Sequence, residues 1–162
     1  MEPKTVLRHG KPPVLALQTR MTGFVSGTEI VTSDGLLPVE HLSKGDRVIT
    51  RDGGMKQVSW VDAVYITTNA VVIAADALGF AKPASRVVVP EGQHLLIRDW
   101  RAKALYGANV VGVPAWRLVD GAYNRRVGAR SLHLFRIGFE TQHTVYAGGL
   151  EMLTHNEAFD LA

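Results

Sequence analysis

The chain has no cysteine. Disulfides, thiolate-ligated zinc and thiol nucleophiles are all excluded by that single fact. Long apolar runs are missing too: none approaches the ~18–20 residues that a membrane-spanning helix needs. Val14-Leu15-Ala16-Leu17 is too short for the apolar core of a signal peptide. A soluble, cytoplasmic protein is the expectation, with export lacking a classical signal left open. Helical periodicity over three or more turns is absent, as are internal repeats and low-complexity segments.

What remains is ordinary globular material. Hydrophobic residues make up 46% of the 162 positions, and the mean hydropathy lies near zero, enough for one core and against disorder. The net charge of +3 is unevenly spread. Residues 1–22 hold Lys4, Arg8, Lys11 and Arg20 against Glu2, so the remainder is neutral overall. Four cations without interleaved aromatics are a weak nucleic-acid footprint, so residues 1–22 read as a solvated basic arm, with one strand around Val14–Gln18.

From residue 24 onward strand signals dominate. Thr28–Thr32 alternates and stops at Asp34-Gly35, a strong hairpin dipeptide. Leu37–Glu40 and Arg47–Thr50 follow, separated by Ser43-Lys44-Gly45-Asp46. Gln57–Ile66, Ala70–Ala75, Arg86–Val89, His94–Ile97 and Val110–Val113 continue the style, and Pro114–Leu118 suits one helical turn. Ser131–Phe139 and His143–Ala147 read as the last two strands. The spacing predicts an all-β domain.

Three stretches in order resemble the bacterial Hedgehog/intein (Hint) family. The most specific runs Ser26-Gly27-Thr28-Glu29-Ile30-Val31-Thr32, then Pro38-Val39-Glu40-His41-Leu42 and Gly45-Asp46-Arg47-Val48-Ile49-Thr50. The second joins His94-Leu95-Leu96-Ile97 and Trp100-Arg101-Ala102 to Pro114–Gly121. The third is His133-Leu134 with His143–Leu150. The resemblance implies a horseshoe-like fold of short, mostly antiparallel strands over 23–156, followed by a tail at 157–162. In that family a Cys, sometimes a Ser, attacks the preceding peptide carbonyl, and a strand histidine assists. The ends of the fold sit side by side.

By this resemblance the nucleophile's position is Gly23, which has no side chain to attack with. A shifted nucleophile at Thr22 or Ser26 is the weaker alternative. His94 resembles the strand histidine, with Glu91 three residues earlier where the family has Ser or Thr. Glu91 could bond the imidazole and raise its pKa; a structural histidine satisfied by the backbone is the equal alternative. His143 resembles the histidine on the strand before the C-terminal junction. His155-Asn156 resembles an intein's terminal pair, in which the Asn amide attacks its own carbonyl and the His assists. Glu157 follows, where ligation would need Cys, Ser or Thr.

Two readings result: a degenerate structural or interaction module with an unknown protein partner, or residual autocleavage at Asn156. Self-processing at most is expected, and no turnover enzyme. No cofactor, metal, nucleic acid or membrane partner is expected. Zinc on His133, His143 and His155 matches no ligand spacing, and Trp60, Trp100 and Trp116 are read as core packing.

Overall fold

The computed structural model describes residues 21–155, so positions 1–20 of the 1–22 arm, with the strand expected around Val14–Gln18, Asn156 and the tail at 157–162 lie outside the described residues. Twelve strands form two antiparallel sheets. The smaller holds β1 (Phe24–Val25), β10 (Asn124–Gly138), β6 (Trp60–Ile73) and β7 (Val87–Pro90), in that order. The larger runs β3 (Gly35–Pro38), β2 (Glu29–Thr32), β4 (Arg47–Thr50), β11 (Thr144–Ala147), β12 (Leu150–Leu153), β8 (His94–Ile97) and β9 (Val111–Pro114). β5 (Gly54–Gln57) pairs outside β4. Among the described residues, one helix, α1 (Trp100–Tyr106), and two 3-10 turns, Val39–His41 and Ala115–Leu118, complete the elements.

The all-β reading holds, and the differences have local causes. Gln57–Ile66 and Ala70–Ala75 read as separate strands because the alternation lapses between them. Residues 60–66 and 70–73 of these stretches belong to one 14-residue strand, β6, that pairs along nearly its whole length with β10. A register shift between Val127 and Arg130 absorbs the mismatch in that ladder, as bulges do. The helix is only seven residues long, too short to show a period. Its signals were the caps: the Asp99 carboxylate accepts from the Arg101 amide, and Gly107 ends the helix at φ +67°.

One core lies between the sheets. Phe24, Ile73 and Ile137 from the smaller sheet pack with Ile30, Val48, Leu95, Val145 and Met152 from the larger. Each such side chain contributes about 1.5–3 kcal/mol by leaving water. A second cluster around Ala70, Leu132 and Leu134 occupies the other face of the smaller sheet. The tryptophans correct the sequence reading: Trp60, Trp100 and Trp116 are 38%, 67% and 46% exposed, so core packing does not explain them.

An ion cluster locks β12 to its surroundings. Glu151 accepts from Arg98 at 2.8 and 3.0 Å and from Arg51 at 2.8 Å. Burial pushes the Glu151 carboxyl up, but the Arg98 hydrogen bonds and the Arg98, Arg51 and Lys82 charges outweigh it and hold the pKa below its ordinary value. A depressed folded pKa gives stability that is present above the unfolded value and lost as pH falls. Glu151→Gln is therefore expected to flatten the acid limb: urea denaturation between about pH 3 and 7 should show the wild type losing more stability than the variant. Parallel curves would rule this out.

Candidate functional site

The two ends of the described chain meet at residues 22–23 and 153–155, and Gln93 holds them together. This glutamine is 1% exposed. Its Oε1 accepts from the Gly23 amide at 2.8 Å, and its Nε2 donates to Leu153 O at 2.8 Å and to His94 O at 3.0 Å. The tight turn Pro90–Gln93, closed by Gln93 N–H to Pro90 O at 3.0 Å, aims the side chain inward just before β8. The sequence reading passed over Gln93. Its only signal was adjacency to His94.

Gly23 sits at φ +143°. A Cβ there would lie 3.3 Å from both Arg136 Cγ and Phe135 O and 3.4 Å from Leu134 Cβ. The position is a glycine by backbone shape as well as by composition, because L side chains rarely adopt that region.

Next to it, the buried Thr22 hydroxyl lies 3.3 Å from His155 Nδ1. Trp60 meets the His155 ring edge-on, with centroids 5.6 Å apart. Trp60 reaches that place by lying across Gly138, its partner on β10, where an added Cβ would fall 2.0 Å from the indole. A glycine on one strand thus seats the tryptophan that flanks the terminal histidine.

His143 stands one step removed. Its Nδ1 lies 3.2 Å from Asp52 Oδ2 and its Nε2 lies 3.3 Å from Thr141 Oγ1. Its backbone pairs with Thr154: the His143 amide donates to Thr154 Oγ1 at 3.1 Å, and the Thr154 amide donates to His143 O at 2.9 Å. Burial raises the Asp52 carboxyl, but the Thr144 amide and His143 more than offset it and leave the pKa lowered. Gly53 makes room for this imidazole, since a Cβ there would meet His143 Cε1 at 2.7 Å. Asp52 and His143 are 91 residues apart, so no local pattern announced the pair.

His94 follows Gln93, but its Nδ1 is held 3.1 Å from Gly92 O. Burial lowers its pKa, only partly opposed by that carbonyl. Of the two readings of His94, the structure shows the backbone contact: Gly92 O, not Glu91, meets the ring, and the pKa falls rather than rises. Glu91 turns instead to Arg126, at 3.0 Å, and to Asn69, at 3.3 Å. The arginine on β10 is the better partner for a buried carboxylate. His133 stacks on Tyr65 with centroids 3.9 Å apart. Among the described residues no three His, Cys, Asp or Glu side chains converge as a metal site.

The structure thus gathers Gly23, His155 and, through its backbone, His143 about one closure, with His94 beside the clasp. A family model, the Hint domain, matches residues 22–157. The chain belongs to the Hint family. Solved structures agree on the fold. A bacterial intein-like domain from Clostridium thermocellum is 19% identical at a TM-score of 0.61, covering 84% of this chain and 99% of that one. The gp41-1 intein is 13% identical at 0.54, over 84% and 99%. The TvoVMA intein is 12% identical at 0.56, over 83% and 98%. No curated protein shows a significant match.

Proposed function

We propose that this Hint domain no longer starts the N-terminal acyl shift and serves as a folded structural or interaction module that holds its two ends closed. The observation that carries this reading is Gly23. It offers no nucleophile, its φ is +143°, and its amide is bound by Gln93. An acyl shift needs a heteroatom poised at the preceding carbonyl, and here Cβ space is filled by Arg136 and the β10 backbone. The test is a fusion carrying a folded tag ahead of residue 1. Intact mass after incubation with hydroxylamine or excess thiol is expected to show one uncut species. Release of the tag at Gly23 would overturn the reading.

A second reading has its own support. His155 is held at the closure by Thr22 and Trp60, and the next residue in sequence is Asn156. A histidine so placed suits proton transfer during Asn cyclisation, in which the Asn amide nitrogen bonds its own carbonyl carbon and the bond to Glu157 breaks. Incubation would then yield a species lacking Glu157–Ala162, abolished in Asn156→Ala. A persistent full-length mass would dismiss it.

A further inference from the structure

One step from the closure, three side chains stand in the order hydroxyl, imidazole, carboxylate. Thr141 Oγ1 lies 3.3 Å from His143 Nε2, and His143 Nδ1 lies 3.2 Å from Asp52 Oδ2. That order fixes the protons. Asp52 is ionised at neutral pH and can only accept, so the neutral ring carries its proton on Nδ1. Nε2 is then the basic nitrogen, and the Thr141 hydroxyl donates to it. A hydroxyl bonded to a base that a third group orients is the signature of an activated nucleophile.

The backbone holds this order in place. His143 is pinned to Thr154 through both its amide and its carbonyl. The turn that carries Asp52 is tied to the next residue twice: the Thr144 amide donates to Asp52 Oδ1 at 3.0 Å, and the Arg51 amide donates to Thr144 O at 2.8 Å. Within the turn, the Gly53 amide donates to Thr50 Oγ1 at 3.0 Å, and that hydroxyl donates to Gly54 O at 2.6 Å. Base and carboxylate are therefore set before any substrate arrives. Lys56 adds a cation beside them: a Cβ on Gly53 would meet its Cε at 2.9 Å and His143 Cε1 at 2.7 Å, so its stem passes next to the imidazole. Thr141, Asp52 and Lys56 are exposed, and a reagent reaches them from solvent.

We infer that Thr141 is a nucleophile that accepts acyl groups from small activated esters. Its oxygen bonds the acyl carbon while its proton passes to His143 Nε2. The bond from that carbon to the leaving oxygen then breaks, and the imidazolium returns the proton to the departing oxygen. The Lys56 charge favours the oxyanion formed on the way. The product is an ester on Thr141, which water hydrolyses to the free acid and the original hydroxyl. This chemistry is independent of whether either end of the chain is ever cut.

The full chain is incubated with p-nitrophenyl acetate near neutral pH, and fragmentation of its peptides locates the added acetyl groups by mass. No thiol competes for the reagent, because the chain has no cysteine. Thr67 is the internal comparator, an exposed hydroxyl that meets Ser131 rather than a base. Thr141 is expected to acetylate about 100-fold faster than Thr67. His143→Gln is expected to bring Thr141 down to the Thr67 rate, and Asp52→Asn to slow it by at least about 10-fold through loss of the tautomer. Thr141→Ser is expected to keep the reaction. Circular dichroism and melting temperature confirm that each variant folds, and the comparison within the wild-type chain needs no variant. Equal labelling of Thr141 and Thr67, acetyl on Lys56 with none on Thr141, or wild-type labelling in folded His143→Gln would overturn the inference.

Discussion

Gln93→Leu is expected to lower the melting temperature by about 10 °C, from a loss of about 3 kcal/mol. The size of the effect follows from what would be stranded. Leucine fills most of the volume, so packing is largely kept. The Gly23 amide and the Leu153 carbonyl, however, lose partners at 2.8 Å in a place that water does not reach freely. An unmade buried hydrogen bond costs the desolvation of each group left behind, about 1–3 kcal/mol apiece. The loss should be local before it is global. Hydrogen exchange is expected to quicken in peptides covering 21–25 and 150–155, since those ends are what Gln93 joins.

Gln93→Glu sharpens the test. An ionised carboxylate still accepts from the Gly23 amide but sets negative oxygen against Leu153 O and His94 O. Acidification protonates the glutamate, restores one donor and should recover part of the lost stability. Wild-type melting and exchange in the leucine variant would show that the clasp carries no weight.

The sequence was legible where its signals were local. Asp34-Gly35 announced the β2–β3 hairpin, whose Gly35 indeed takes φ +98°. The Arg47–Thr50 and His94–Ile97 strands stood at their stated limits because turn residues bracket them. The site was less legible, because its determinants are pairings between distant residues. Gln93 reads as an ordinary turn residue until β12 is placed beside it. Trp60 reads as core until Gly138 is known to lie opposite. Asp52 reads as half of a turn, and only the β4–β11 pairing brings it to His143. Glu91 misled for the same reason: spacing alone put it near His94, but Arg126 on another strand captures it.

Gly23→Cys is expected to destabilise the domain and still not restore processing. If loss of the thiol were the only change, the substitution would reinstate the missing nucleophile. The backbone argues otherwise. A cysteine kept at φ +143° is strained by about 1–3 kcal/mol, and its Cβ would press on Phe135 O and Arg136 Cγ at 3.3 Å. Relaxing φ to negative values would swing the amide away from Gln93 and open the closure. The thiol would also be buried among Leu134, Phe135 O and the Arg136 stem, and burial away from water favours the protonated, less reactive form. Melting curves with intact-mass analysis of a tagged fusion, with and without dithiothreitol, test both halves of this expectation. Arg136→Ala added to Gly23→Cys relieves one contact but leaves the β10 carbonyl, so it should recover some stability without cleavage. Thiol-dependent release of the tag from the single variant would show that the backbone at this junction is still set for attack and that only the sulfur was lost.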